Sequence, residues 1–202
     1  MTNLDLIDFI REHYKRPTGS IPLHAPTFTM RDKDLVVDAI DSTFVSGIGE
    51  YVDRFESELA RYTGSKHAVA TVNGTCALQV ALQLVGVEHE SEVITQPLTF
   101  VATANAITYL GAVPVFLDVD RDSMGLSPEA LESWLNAHGE KKSLETATGE
   151  DAMAVNKETG RRIGAIVPMH TFGRPCRIEG IGEIDRKWPI PVVEDVAVYL
   201  GS

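Results

Sequence analysis

A short turn, Asn73-Gly74-Thr75, has the residue types that hold an anion. β-Branched residues precede it and an apolar run follows it, which predicts a strand over 67–72 joined directly to a helix over 75–85. The first backbone N–H groups of such a helix have no intrahelical partner and lie at the positive end of the helix dipole. Glycine lets a ligand approach the backbone, and the threonine hydroxyl adds a donor. We therefore predict that Gly74 and Thr75 bind a phosphate group.

The same turn has plainer explanations. Asn, Gly and Thr are common capping residues wherever a strand meets a helix. Asn73-Gly74-Thr75 is also an N-glycosylation sequon, which only a secreted chain would use. It is not a P-loop, because no Gly-Lys-Ser/Thr follows, and it lacks the second glycine of a dinucleotide-binding fingerprint. The choice among these explanations depends on the residues predicted to lie nearby.

Three further side chains follow predicted strands. Phe100, His170 and Asp195 come after apolar runs that end at residues 95, 168 and 194. Ligands of open α/β sheets bind beyond the carboxyl ends of the strands, so we expect these side chains and the turn to face one crevice. A phosphate site, an aromatic ring for stacking and a strand-end carboxylate suit pyridoxal 5'-phosphate, whose ring nitrogen must stay protonated to accept an electron pair.

Each of these residues also has an ordinary structural explanation. Phe100 could be a core side chain, because most phenylalanines are buried. His170 could be a structural histidine, and the sequence favours neither role. Asp195 could be a solvated acid at a strand end or the ribose-binding acid of a dinucleotide fold. The combination of residues is more informative than any one of them.

The elements that would position these residues alternate along the chain. An N-terminal helix (3–14) and an extended, proline-containing arm precede two amphipathic helices at 32–44 and 50–62. Strands are predicted at 67–72, 92–95, 113–118, 163–168 and 190–194, and helices at 75–85, 99–110, 127–137 and a glycine-interrupted segment at 177–187. This alternation predicts an α/β fold with a mostly parallel central sheet and helices on both faces. We divide the chain into the helix and arm (1–30) and a large domain (31–202) with an insertion at about 138–162, where Val155–Arg162 resembles a hairpin turn.

Composition excludes several classes of partner. With 202 residues, a net charge of −11 and a pI near 4.9, the chain is unsuited to general binding of nucleic acid or anionic membranes. Cys76 and Cys176 have no metal-binding spacing, so no metal is expected. The first ten residues lack the features of a signal peptide, and we expect a cytoplasmic protein.

Several motifs, in order along the chain, resemble the DegT/DnrJ/StrS-type nucleotide-sugar aminotransferases. They are Phe44-Val45-Ser46-Gly47 through Asp53-Arg54-Phe55-Glu56, residues 70–78, residues 96–107, Pro168-Met169-His170-Thr171-Phe172-Gly173 and Val193-Glu194-Asp195. The amino-acid sequence of residues 21–56, 92–128 and 160–176 is most similar to the LegC-like branch of this family, which is associated with legionaminic-type amino sugars. The resemblance covers essentially the whole chain and implies the aspartate aminotransferase fold, fold type I.

The resemblance also implies roles for single residues. Gly74 and Thr75 would hold the phosphate of pyridoxal 5'-phosphate, Phe100 would stack on its ring, Asp195 would pair with its ring nitrogen, and His170 would lie near it. The family reaction moves an amino group from glutamate or glutamine to a keto-sugar carried on a nucleotide, in amino-sugar and surface polysaccharide biosynthesis. The complete enzymes are homodimers.

Two departures from the family pattern affect the expected activity. Val198 stands where the family usually has a polar residue near the cofactor. The sequence also contains no match to the Ser-Phe...Lys stretch that supplies the Schiff-base lysine; Lys157 and Lys187 lie elsewhere. We therefore expect an incomplete large domain with no catalytic residue of its own, inactive in isolation.

Three functions remain open at this point. The first is an aminotransferase of which this chain is a part. The second is a non-catalytic binding or regulatory remnant of the family. The third, a plain nucleotide-binding α/β domain, is weakened by the absence of a glycine-rich fingerprint. The sequence does not identify the keto-sugar, the nucleotide or the amino donor.

Overall fold

The structure, a computed structural model, describes residues 3–22, 25–146 and 149–200. The chain forms two compact units, Met1–Ala68 and Val69–Ser202. All the predicted site residues lie in the second unit.

The first unit contains three helices, α1 (Asn3–His13), α2 (Met30–Asp41) and α3 (Glu50–Thr63). A capping box starts α2: the Thr29 side chain accepts from the N–H of Asp32, and the Asp32 carboxylate accepts from the N–H of Thr29 at 2.6 Å. Gly64, in the left-handed conformation, ends α3. All three helices were predicted, but α2 ends three residues early because Thr43 has a positive φ of 63°.

The second unit alternates helices and strands. Its elements are α4 (Gly74–Leu84), β1 (Glu92–Thr95), α5 (Val101–Tyr109), β2 (Val113–Phe116), α6 (Pro128–His138), β3 (Gly139–Thr146), β4 (Gly149–Asn156), β5 (Ile163–Val167) and α7 (Ile178–Lys187), with a 3₁₀ turn at Thr171–Gly173 before α7. The central sheet has the order β2-β1-β5, and both pairings are parallel. The predicted α/β class and parallel sheet are confirmed.

Helices cover both faces of this sheet. Val93, Ala165 and Val167 pack with α4 and α5 on one face. Ile94 and Ile166, the alternate residues of the same strands, pack with α6 and α7 on the other. Burial of both strand faces explains why β5 consists of apolar residues and why all four residues of β1 are buried.

Two predicted strands differ from the structure. Residues 67–72 form no strand, and Val69 and Val72 are 78% and 87% exposed. The prediction was wrong because β-branched residues favour a strand only where a neighbouring edge is available to pair with. Residues 190–195 do run parallel to β5, but as isolated bridges, Ile166 to Val192 and Met169 to Asp195.

The insertion is a two-stranded antiparallel hairpin of β3 and β4. Residues 147–148, between the two strands, lie outside the described residues. The predicted turn at 155–162 instead connects β4 to β5, with the N–H of Asn156 donating to the carbonyl of Arg161 at 2.9 Å. The buried Glu92 carboxylate, at the start of β1, accepts from Asn156 (2.8 Å) and Thr159 (2.7 Å) and fixes this turn.

Among the helices of the described chain, none is long and apolar enough to cross a membrane.

The two glycines of α7 provide a matched test of the packing between α6 and α7. A Cβ at Gly182 would meet no atom within 4 Å, whereas one at Gly180 would lie 3.1 Å from Cγ of Pro128. We expect Gly182→Ala to raise the free energy of unfolding by about 0.5–1 kcal/mol, because alanine restricts the unfolded chain and favours the helix. Gly180→Ala should gain less or lose stability. Urea denaturation followed by circular dichroism measures both, and equal gains would contradict this packing.

Candidate cofactor site

The phosphate turn forms the N-terminus of α4. Asn73 caps the helix, its Oδ1 accepting from the N–H of Cys76 at 2.9 Å. The N–H groups of Gly74 and Thr75, at the first two positions of the helix, have no intrahelical acceptor. A Cβ on Gly74 would meet no atom within 4 Å, so the space before the helix is open. Since α4 leads to the amino end of β1, this opening lies toward the carboxyl edge of the sheet.

Phe100 and a threonine that the sequence analysis missed lie at the start of α5. Phe100 is the N-cap residue and its side chain is 70% exposed, so the alternative explanation of a core phenylalanine does not hold in this structure. Thr103 lies one helical turn later, on the same side of the helix, and is fully buried. The Thr103 hydroxyl donates to Oδ2 of Asp195 at 2.6 Å. α5 thus begins next to Phe100 and carries, in its first turn, the residue that bonds to Asp195.

Asp195 is a buried carboxylate whose negative charge is offset by few hydrogen bonds from the described residues. Its side chain is 6% exposed, so it is not a solvated strand-end acid. Oδ2 accepts from Thr103, but among residues 3–22, 25–146 and 149–200 Oδ1 accepts only from the N–H of Ala197, at 3.3 Å. No basic side chain of the described residues forms an ion pair with it. Buried carboxylates usually have a cationic partner, so Oδ1 is suited to a positively charged donor from a ligand.

His170 is held on several sides by the protein. It is 1% exposed, its Nδ1 accepts from the N–H of Cys176 at 3.1 Å, and its Nε2 therefore carries the proton donated to Glu194 at 3.0 Å. The Tyr199 ring stacks on it with centroids 4.6 Å apart. Its backbone N–H donates to the carbonyl of Asp195 at 3.2 Å. These contacts give His170 a structural function, and contact with a cofactor would have to use a ring face.

The carboxyl edge of the sheet is organised by Gln96, another residue that the sequence analysis missed. Its side chain is fully buried at the end of β1. Oε1 accepts from the N–H groups of Leu126 (2.7 Å) and Met169 (3.2 Å). Nε2 donates to Thr171 Oγ1 at 2.9 Å and to the carbonyls of Leu98 and Met124 at 3.0 and 3.3 Å. One amide thus holds together the segments that follow β1, β2 and β5.

A groove of about 570 Å³ lies between α6 and α7, and no predicted site residue lines it. Arg177 bonds to Glu129 and Asp120 there. The hydrogen bond from Arg177 lowers the pKa of Glu129 to about 2. Burial raises the pKa of the neighbouring Cys176 thiol to about 11, which keeps it protonated and unreactive.

Within the described part of the chain, no cluster of His, Cys, Asp and Glu could hold a metal ion.

The residues at the carboxyl edge fit a phosphorylated, cationic aromatic group. Free N–H donors at the start of α4 suit a phosphate, the exposed ring of Phe100 offers a flat apolar face, and Asp195 offers a buried acceptor. Within the described residues, Gly74 and Thr75 make no hydrogen bond to the other predicted site residues. The fold is that of an α/β domain with these residues at the carboxyl edge of its parallel sheet.

Comparison with known proteins identifies the family. A model of the DegT/DnrJ/EryC1/StrS aminotransferase family matches residues 26–202. The chain belongs to this family.

Individual relatives agree with the family match. GDP-perosamine synthase of Caulobacter vibrioides is 33% identical over 90% of this chain and 43% of its own length. EpsN of Bacillus subtilis (strain 168), named as a pyridoxal phosphate-dependent aminotransferase, is 34% identical over 90% of this chain and 42% of its own. The crystal structure of an aminotransferase from Psychrobacter cryohalolentis superposes with a TM-score of 0.71, at 32% identity, over 89% of this chain and 40% of the other. The chain thus spans less than half the length of these relatives.

Replacing Gln96 with leucine tests its role at the carboxyl edge. Leucine leaves the N–H groups of Leu126 and Met169 without their acceptor. We expect Gln96→Leu to lower the free energy of unfolding by roughly 2–4 kcal/mol, since each buried group left unsatisfied costs about 1–3 kcal/mol. Gln83→Leu, on the exposed side of α4, is the control and should change stability by less than about 0.5 kcal/mol. Equal losses in urea denaturation would contradict the assignment.

The lowered pKa of Glu129 predicts a specific pH dependence. Its folded value near 2 lies below the ordinary 4.5, so the pair with Arg177 stabilises fully above pH 4.5. This stabilisation disappears as the pH falls toward 2. We expect Glu129→Gln to lower the thermal midpoint at pH 7 but not at pH 2.

The control for this prediction is Glu179→Gln, which removes an exposed glutamate from α7 that forms no ion pair among the described residues. Its effect on the midpoint should not follow the same pH profile. A difference between Glu129→Gln and the parent protein that persists at pH 2 would show that the charge of Glu129 is not responsible.

Proposed function

We propose that the protein is a pyridoxal 5'-phosphate-dependent aminotransferase, which transfers an amino group from glutamate or glutamine to a nucleotide-linked keto-sugar. The observation that carries the proposal is Asp195, a buried carboxylate with no cation among the described residues, at the carboxyl edge of a parallel sheet. Family membership and the similarity to GDP-perosamine synthase support the reaction and the substrate class.

Each predicted residue has a distinct function in this proposal. The backbone N–H groups of Gly74 and Thr75, with the Thr75 hydroxyl, donate to the cofactor phosphate. The Phe100 ring packs against the flat face of the cofactor. Oδ1 of Asp195 accepts a hydrogen bond from the protonated ring nitrogen of the cofactor, and the negative charge of Asp195 favours the protonated form of that nitrogen. When bound, the cofactor supplies the electron-withdrawing ring on which amino transfer depends.

The Schiff-base lysine is not assigned to any of residues 1–202. Lys157 donates to the carbonyl of Ala137 at 3.0 Å, and Lys187 to Glu132 at 2.7 Å on α6, so both are engaged away from the carboxyl edge. We therefore propose that residues 1–202 bind the cofactor without catalysing the reaction. An in-frame continuation beyond codon 202 with a Ser-Phe...Lys motif would support an aminotransferase, and a stop codon there would favour the non-catalytic remnant.

The cellular setting extends the same proposal. The aminated sugar would serve surface polysaccharide biosynthesis in the cytoplasm, and the complete protein would act as a homodimer. The LegC-like resemblance and the GDP-perosamine synthase relatives point to different sugars, so the proposal is limited to keto-sugar nucleotides as a class.

Pyridoxamine 5'-phosphate tests the site without a lysine, because it binds without forming a Schiff base. We expect saturable binding to the 202-residue protein by isothermal titration calorimetry. Asp195→Asn should weaken it about tenfold or more, since a hydrogen bond to a charged group contributes about 1.5–3 kcal/mol.

The matched control is Asp118→Asn, which changes an exposed aspartate just beyond β2, at the same edge of the sheet. It should leave the dissociation constant unchanged. Absence of binding to the parent protein, or equal losses in the two variants, would overturn the assignment of the site. Turnover of GDP- or TDP-linked 4-keto sugars by residues 1–202 alone would overturn the proposed lack of activity.

A further inference from the structure

Two threonines form a chain of hydroxyl groups that ends at Asp195. Thr103 Oγ1 lies 2.6 Å from Oδ2 of Asp195, and Thr99 Oγ1 lies 2.7 Å from Thr103 Oγ1. Thr103 lies in the first turn of α5, and Thr99 lies in the segment just before the helix, four residues earlier in the chain. Thr103 is fully buried and Thr99 is partly buried.

The direction of the hydrogen bonds follows from the groups involved. A carboxylate only accepts, so the single hydroxyl proton of Thr103 is donated to Asp195. Thr103 must then accept from Thr99, whose hydroxyl supplies the proton of the second bond. Each bond polarises the next, so the outer hydroxyl strengthens the inner one.

This chain leaves the two oxygens of Asp195 in different states. Oδ2 is held by a short hydrogen bond, whereas Oδ1 has, within the part of the chain that the structure describes, only the 3.3 Å contact with the N–H of Ala197. Rotation of the carboxylate would break the bond to Thr103, so the group is fixed with Oδ1 available. A fixed acceptor binds a ligand more tightly than a mobile one because less freedom is lost on binding.

Glu92 is a buried carboxylate whose two oxygens both accept hydrogen bonds from side chains of the protein, and it provides a comparison for Asp195. It is 2% exposed, and each of its oxygens accepts a side-chain hydrogen bond, from Asn156 at 2.8 Å and Thr159 at 2.7 Å. Asp195 has such a bond on one oxygen only. The difference is consistent with a structural function for Glu92 and a binding function for Asp195.

We propose that Thr103, supported by Thr99, is a positioning residue that fixes Asp195 so that its Oδ1 meets the ring nitrogen of the cofactor. The inference rests on the proposed function, because it assumes that Asp195 receives that nitrogen. It goes further by assigning the orientation of the carboxylate to a side chain of α5, the helix that begins next to Phe100.

The first experiment measures the dissociation constant of pyridoxamine 5'-phosphate for variants of the 202-residue protein. Thr103→Val keeps the shape and removes the hydroxyl, and we expect binding about tenfold weaker. Thr103→Ser keeps the hydroxyl and should restore binding to within about twofold of the parent. Thr108→Val removes an exposed hydroxyl from the same helix, one that donates to the carbonyl of Asn105, and should have no effect.

A second ligand and a double variant show whether Thr103 acts through Asp195. In 1-deazapyridoxamine 5'-phosphate a C–H group replaces the ring nitrogen, so neither Thr103→Val nor Asp195→Asn should change its binding. The loss caused by Thr103→Val should likewise disappear in an Asp195→Asn background, because coupled residues are non-additive. Thr99→Val, which alters a less buried group, should weaken binding about threefold and remains informative if Thr103→Val fails to fold.

The outcomes separate this inference from the proposed function. If Asp195→Asn weakens binding of the parent ligand but neither threonine variant does, the positioning role fails and the proposed function stands. If Asp195→Asn has no effect, or the deaza ligand binds the parent protein equally well, the assignment of Asp195 fails and both proposals fall. Equal losses from Thr103→Val with both ligands would show that Thr103 is merely structural.

Discussion

The carboxyl edge of the sheet depends on the hydrogen bonds of one buried amide. Strand ends leave backbone N–H and carbonyl groups without ladder partners, and burying them unpaired is costly. Gln96 bonds to the segments that follow three strands, through Leu126, Met169 and Thr171 among others. Because these segments begin at fixed points, His170 and the 3₁₀ turn that follows it are fixed as well. The candidate site is therefore built on a rigid edge rather than on free loops.

The positions of the buried carboxylates follow from the parallel order of the strands. Glu92 starts β1 and Asp195 lies beyond the opposite end of the sheet, next to the residues that follow β5. At the amino end, Glu92 binds the turn between β4 and β5 and has a purely internal set of partners. At the carboxyl end, helix N-termini bring positive dipole ends and free donors to the same edge. A buried carboxylate can thus serve packing at one edge, while at the other edge it is suited to a cationic ligand.

Much of the fold could be predicted because local and tertiary preferences agree. A buried apolar run identified β5, and Ser127-Pro128 marked the start of α6, where the Ser127 hydroxyl accepts from the N–H of Ala130 at 3.2 Å. Residues 67–72 were mispredicted because strand formation requires a partner that the local sequence does not specify. The Gln96 and Thr103 contacts were missed for a related reason. Gln96 bonds to Leu126, Met169 and Thr171, which are 30 to 75 residues away. Thr103 bonds to Asp195, 92 residues away, so no local spacing identifies these contacts.

The site residues differ in how far the sequence could assign them. Glycine and threonine at a helix start have a direct physical reason to bind phosphate, and the structure leaves the space before Gly74 open. His170 has no comparable local signal, and its packing against Tyr199 and its bond to Glu194 favour a structural role. The position of Asp195 after an apolar run could be predicted from the sequence. Its burial and the difference in hydrogen bonding between its two carboxylate oxygens are seen only in the structure. A carboxylate with a short hydrogen bond to one oxygen and a longer backbone contact to the other is suited to a cationic ligand, and that asymmetry connects the scaffold to the proposed chemistry.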